Sequence, residues 1–190
     1  MTVGLIVLLM LSVVGVGIVV FLVGLYNQLV LVTVNMDKAW ANIDVLLKQR
    51  FDEIPKLVAV CEGYMAHERA TLEKVTLART AFLSATTPGQ AARAENQLSQ
   101  ALKTLFAVSE NYPQLKANEH FLQLQQRVSY LENQIADRRE FFNESVAIYN
   151  TRIRQVPDMF IAQLLRYQPR EMFAVADAEK KDPSITFKQP

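Results

Sequence analysis

His67-Glu68-Arg69-Ala70-Thr71 is the stretch of this chain that comes nearest to a catalytic motif. A zinc hydrolase carries His-Glu-x-x-His on a helix, because imidazoles four residues apart face one metal while the glutamate works on its water. Thr71 stands where the second histidine must be, so no zinc pair forms, and His67 reads as a polar helix residue or an interhelical hydrogen-bond partner. His120 lies 53 residues further on, with no carboxylate cluster at ligand spacing. Cys61 falls on an apolar stripe with Val58 and Met65, the setting of a small buried hydrophobe. No histidine is near enough in sequence to argue for a Cys-His pair, which leaves proximity in space as the one route to a thiolate. The body carries two glycines, Gly63 and Gly89, too few for a phosphate-cradling loop. Asn143-Glu144-Ser145 matches a glycosylation sequon but lies in a stretch patterned as helix. The expectation is no catalytic residue, no metal ligand and no cofactor. A site assembled across chains is the form of catalysis that spacing leaves open.

More informative are four charged residues on apolar stripes: Arg50, Glu68, Arg79 and Arg138. Polar groups on a helix seam set register and partner choice at some cost in stability. The alternative is that their stems lie along the seam while their heads reach water.

The elements that hold these residues are helical. From Met36, Trp40, Ile43, Leu47, Ile54, Val58, Cys61, Met65, Leu72, Val75 and Phe82 recur at three- and four-residue intervals. The pattern predicts one helix over 36–85, continuous with the apolar segment before it, with Pro55 and Gly63 as its internal breakers and a kink at Pro55, which removes a backbone donor and crowds the carbonyl of Phe51. Thr87 can cap a second helix with Pro88 at its first position. Ala91, Ala94, Leu98, Ala101, Leu105 and Val108 carry that helix to Tyr112-Pro113. A third starts near Asn118, with Phe121, Val128, Leu131, Ile135, Phe142, Tyr149 and Ile153 on its seam, and ends at Pro157. A short helix from Asp158 to about Tyr167 follows, and the tail from Lys180 to Pro190 reads as loop or disorder. No strand-like alternation appears, so the class is all-α: three long antiparallel helices plus a short C-terminal one.

Composition adds the membrane. The 190 residues carry 20 Lys+Arg and 19 Asp+Glu, yet residues 1–36 carry no charge at all. A core at 5–25 is long enough to cross a bilayer of about 30 Å. A cleaved signal peptide is the rival, but it needs a basic start and a shorter apolar run. The expected organisation is a membrane anchor at 1–36, a helical bundle at 37–168 and a partly irregular tail at 169–190. A net charge of +1 gives no footprint for nucleic acid, and a single cysteine forms no disulfide framework. Lys38, Lys48 and Arg50 put the positive side after the span, which places the body in the cytoplasm. Gly17 and Gly24 lie on one helix face, where small residues let two spans approach, although glycine is common in membrane helices anyway.

Lengths set an expected topology. A helix over 36–85 is about 75 Å long, the second about 36 Å and the third about 57 Å. Going up, down and up again, they leave Trp40, Ile43 and Leu47 without cover from their own chain. An apolar stripe of that kind calls for a second chain, unless the C-terminal segment folds back over it. The expected interface of a homo-oligomer is therefore Gly17, Gly24, Trp40, Ile43 and Leu47. The apolar segment Met159-Phe160-Ile161 with Leu164-Leu165 and Tyr167, then Met172-Phe173, reads as a cap on the bundle. Partner binding and membrane contact are its alternatives, and the topology places it far from the bilayer.

Several blocks closely resemble the LemA family. They are Tyr26-Asn27-Gln28-Leu29-Val30, Ala39-Trp40-Ala41-Asn42-Ile43-Asp44-Val45-Leu46-Leu47-Lys48-Gln49-Arg50 and Ile54-Pro55-Lys56-Leu57-Val58, with Gly63-Tyr64, His67-Glu68, Thr71-Leu72-Glu73 and Ala78-Arg79. Arg138-Arg139, Phe142-Asn143, Tyr149-Asn150 and Pro157 through Ala162 extend the likeness over nearly the whole chain. The Arg-Asn step usual after the first block is replaced here by Val32-Thr33-Val34-Asn35, which lengthens the apolar run. The resemblance implies a single-pass anchor in the bacterial inner membrane, a short N-terminus outside, a cytoplasmic helical body and no established enzymatic activity. It also implies an occasional association with membrane proteases. The function read from residues and resemblance together is a non-enzymatic, membrane-anchored scaffold that self-associates. Its partners are itself and the lipid bilayer. The alternative is an adaptor or regulator of another membrane protein, such as a membrane protease.

Overall fold

The first helix does not stop where the charge-free segment ends. In the computed structural model, which describes residues 2–173 (for Thr2 the backbone alone), α1 runs from Thr2 to Glu62. It passes through Asp37 and Pro55 without a break. Five helices follow: α2 Arg69–Leu83, α3 Pro88–Ser109, α4 Pro113–Lys116, α5 Glu119–Arg152 and α6 Asp158–Leu164. Among the described residues there is no strand, so the chain is all-α. The expected irregular tail at 180–190 lies outside the described residues.

The single helix expected over 36–85 is two helices. The backbone N–H groups of Tyr64 and Met65 both return to the carbonyl of Cys61, at 3.0 and 2.8 Å, and close α1. Glu68 then opens α2, its carbonyl accepting from Thr71 and Leu72 at 3.0 and 3.2 Å. Gly63 is less favourable in a helix than alanine by about 1 kcal/mol, and leaving the helix lets Met65 enter the core, where it is fully buried. The apolar spacing Cys61, Met65, Leu72, Val75 runs straight across this turn, which is why periodicity did not reveal it.

The later boundaries fall where their caps put them. Thr87 Oγ1 accepts from the N–H of Gln90 at 3.2 Å, and Gln90 Oε1 accepts in return from the N–H of Thr86 at 2.8 Å. Pro88 occupies the first position of α3. Asn118 Oδ1 accepts from the N–H of Phe121 at 3.1 Å and starts α5. At the other end of α6, Arg166 takes a left-handed φ of 56°. Its N–H reaches Gln163 O at 3.1 Å and the N–H of Tyr167 reaches Ala162 O at 2.9 Å. This is the paired closure that glycine usually makes.

The described residues form two compact units. One contains α1 up to Ala39 together with Phe142–Arg170; the other contains Trp40–Phe141 and the chain from Glu171. In the second unit α2 turns back along α1, with the Phe51 and Phe82 rings stacked at 4.0 Å. α3 turns again, bringing Tyr112 to Glu68, and α5 returns, pairing Asn118 with Tyr64 and Arg127 with Gln49. The core is built from Ile43, Leu47, Ile54 and Leu57 of α1, Val75 of α2, Leu98 and Leu105 of α3, and Val128, Leu131 and Ile135 of α5. Each such side chain gains about 1.5–3 kcal/mol from leaving water. In the first unit α5 is again antiparallel to α1, and Arg152 Nη1 donates to Gln28 Oε1 at 2.9 Å.

Candidate functional site

Residues 3–23 of α1 are exposed along their whole length, while Leu25 and Leu29 are buried. The change from uncovered to covered falls at Gly24, just before Tyr26-Asn27-Gln28. A charge-free helix with nothing of its own chain against it is what a membrane-crossing segment requires. Around Gly17 and Gly24 there is open space: a Cβ built on either meets nothing within 4 Å. Neither glycine is covered by its own chain.

Trp40, Ile43 and Leu47 stand differently. Ile43 and Leu47 are fully buried within the chain, and Trp40 is half-buried with its ring 6.3 Å from that of Phe173. The premise that this face lacks intrachain cover does not hold, and with it goes the reason for assigning these three residues to an interface between chains. The cause is the extra turn at Gly63. It adds a leg, reverses α5 and lays it along α1. Phe173 is itself buried, with the Arg139 guanidinium 4.9 Å from its ring centre.

The four polar seam residues separate into four situations. Arg50 is completely buried and forms an ion pair with Glu95, itself buried, through Nη1. The same nitrogen donates to Ser99 Oγ at 3.2 Å, and Nη2 lies 3.2 Å from Glu132 Oε2. One guanidinium thus joins α1, α3 and α5. Burial pushes the Glu95 carboxyl up, while Arg50 and then Arg139 pull it back down. Arg79 Nε donates to the carbonyl of Phe51 at 3.3 Å. That carbonyl is the one deprived of its helical partner by Pro55, so Arg79 satisfies what the proline orphaned. Glu68 is not inside a helix but at the start of α2, where its charge suits the helix dipole. It accepts from Tyr112 Oη at 3.3 Å, and burial, followed by the Glu68 charge, raises the tyrosine pKa. Arg138 is exposed, and its neighbour Arg139 turns inward. The buried neighbours Ile135 and Phe142 are seven apart, and counting three back from Phe142 gives Arg139.

Glu95 and Glu132 were missed from sequence, and Arg139 stood out only beside Arg138 in a family block. Glu95 left a signal. Ala91, Glu95, Leu98, Leu102 and Leu105 keep three- and four-residue spacing as well as the chosen seam does, and α3 buries both stripes. Phe173 was legible as part of an apolar C-terminal segment, but its place beside Trp40 was not, because that depends on a return of the chain after α6.

Candidate chemistry is sparse. His67 and His120 are both exposed. Among the described residues no group of His, Cys, Asp or Glu could hold a metal ion. Cys61 is buried and its thiol is pushed up from 9.0 to about 11 by burial, away from nucleophilic thiolate. The C-terminal apolar segment divides: Ala162 is buried, whereas Phe160 and Leu164 are exposed.

The profile of the LemA family matches residues 39–187. Among curated proteins, "Magnetosome protein MamQ" of Magnetospirillum gryphiswaldense is 30% identical over 80 residues, 42% of this chain and 29% of the relative. "Magnetosome protein MamQ 2" and "MamQ 1" of Paramagnetospirillum magneticum are each 24% identical over 174 residues, 78% of this chain and 64% of the relative. The chain therefore spans less than two-thirds of the length of these relatives.

Proposed function

Since the chain belongs to the LemA family, we propose that it is a non-enzymatic, membrane-anchored helical scaffold that self-associates through its span. The observation that carries this reading is the uncovered, charge-free face of residues 3–23, continuous with a closed helical body. Gly17 and Gly24 lie seven residues apart on one side of that helix with open space over both, which favours close packing of two spans. The body sits on the cytoplasmic side of a bacterial inner membrane, following the Lys and Arg that come after the span. Magnetosome proteins among its relatives fit a role tied to a membrane.

Light scattering of the purified full chain in detergent tests the reading. The expected mass is a multiple of the 21.5 kDa chain, falling to that of one chain in Gly17→Ile, Gly24→Ile. A monomeric parent protein would end the scaffold reading. The second reading, an adaptor for another membrane protein, draws on an open groove of about 540 Å³ between α2 and α3, lined by Leu77, Ala78, Ala81 and Ala101. Stoichiometric co-purification of a different membrane protein, abolished by Ala81→Arg in the groove, would favour it.

A further inference from the structure

We propose that the turn after α5 and helix α6 make a second, shallow contact with the bilayer that α1 crosses. The inference rests on reading residues 3–23 as the span. It concerns one unit of the chain, and four observations within that unit carry it.

The first is level. α5 ends at Arg152, whose Nη1 bonds Gln28 Oε1 at 2.9 Å. Gln28 lies four residues, about 6 Å of helix, beyond the point where α1 loses its cover. The chain returns to the level of Tyr149 only at Tyr167 and Gln168: the Tyr149 and Tyr167 rings lie 6.3 Å apart, and Tyr149 Oη donates to Gln168 O at 2.9 Å. Residues 153–166 are therefore at the end of the unit from which the anchor emerges.

The second is a bare apolar face. Val156, Phe160 and Leu164 are 64, 62 and 80% exposed. They recur every four residues, the spacing that puts Phe160 and Leu164 on one side of α6. Water-exposed side chains of this size in a row call for a cover, and at this level the nearest apolar phase is the one that surrounds the anchor.

The third is charge. Arg154 and Arg166 are exposed, whereas Asp158, the acidic residue of α6, is buried and bonded through Oδ2 to Arg152 Nη1 at 3.1 Å. What the segment presents outward is apolar bulk flanked by cations, the pattern that seats a short helix at anionic headgroups.

The fourth is attachment. Asn150 exchanges two 2.9 Å hydrogen bonds with the backbone of Arg170, Nδ2 to O and N to Oδ1. The excursion is thus pinned at both ends, and Ala162 is held in the interior. The outward face is then fixed rather than free to turn in.

The test places a lone tryptophan in the full chain on a Trp40→Phe background. The protein is reconstituted into vesicles of phosphatidylcholine and phosphatidylglycerol with brominated acyl chains. Phe160→Trp and, as an independent probe, Leu164→Trp should lose emission, most strongly when bromine is near the headgroup. Phe21→Trp, near the end of the span, should also lose emission, and Lys38→Trp should keep it. If Phe21→Trp is quenched while both α6 probes behave like Lys38→Trp, the bilayer contact is refuted and the face belongs to a protein partner. If Phe21→Trp also escapes quenching, the membrane span fails and this inference fails with it.

Discussion

Replacing Glu95 alone should destabilise the helical body far more than replacing Arg50 and Glu95 together. Both side chains are withdrawn from water, and a guanidinium does not shed its charge. Glu95→Ala leaves Arg50 with Glu132, 3.2 Å away but 47% exposed on its side chain, so its attraction is screened. Breaking a buried pair from one side costs about 3–5 kcal/mol. An exposed partner offsets about 0–1 kcal/mol of that, so a loss of about 3 kcal/mol remains. Glu132→Ala, by the same exposure, should lose about 1 kcal/mol or less. The double variant Arg50→Met, Glu95→Leu exchanges the pair for apolar groups of similar volume and should lie between unchanged and about 4 kcal/mol more stable. Denaturant unfolding of the full chain in detergent, followed by far-ultraviolet circular dichroism, compares these variants, and adding Arg50→Met and Glu95→Leu singly gives all four corners of the cycle. A Glu95→Ala loss below about 1 kcal/mol, or a double variant whose loss equals the sum of the singles, would refute the reasoning.

Three further outcomes follow from other contacts. Arg79→Met should cost about 1–2 kcal/mol by exposing the Phe51 carbonyl. It should cost much less in a Pro55→Ala background, where residue 55 supplies the missing N–H; equal costs in both backgrounds would mean that Arg79 does something else. Arg166→Gly should stabilise by about 0.5–1 kcal/mol, because the left-handed φ of 56° strains any residue with a Cβ; a fall in the unfolding midpoint would contradict this. The Cys61 thiol is raised from 9.0 to about 11, so folding favours its neutral form. That contribution is complete below pH 9.0 and is lost as pH rises through about 11. The unfolding midpoint should therefore drop more steeply over that window in the parent than in Cys61→Ala, and a parallel drop would refute the assignment.

What was legible in the sequence was whatever depends on neighbours along the chain. The helix through Asp37, the cap at Thr87, the start at Asn118 and the uncharged span all follow from local residue types. Gly63 was legible as a breaker but the two-helix split there was not, because Cys61, Met65 and Leu72 keep helical spacing through a turn that buries Met65. Arg50 was recognisable as a polar intruder on a seam. Its partners were not, since Glu95 and Glu132 lie on other helices and only the topology selects them. Arg138 shows the limit most sharply. A one-residue slip in phase, harmless to the helix assignment, exchanged an exposed arginine for the Arg139 that faces Phe173.

The slip at Gly63 had the larger consequence because it changed a parity. A chain that leaves a membrane and turns back at each loop ends far from it after three legs and near it after four. With three, Ile43 and Leu47 stand bare and invite a second copy, while α6 lies at the distal end. With four, α5 runs antiparallel to α1 and ends with Arg152 on Gln28; Ile43 and Leu47 are sealed within the chain, and the bare apolar face moves to Phe160 and Leu164. The bare surface is thus not at Ile43 and Leu47 but at Phe160 and Leu164, in the unit that carries the start of α1. On the proposed reading, self-association rests on the span and its glycines, and the proposed contact with the lipid surface rests on α6. The two can be separated experimentally, because Gly17→Ile, Gly24→Ile should change the mass of the particle and leave Phe160→Trp as quenched as before.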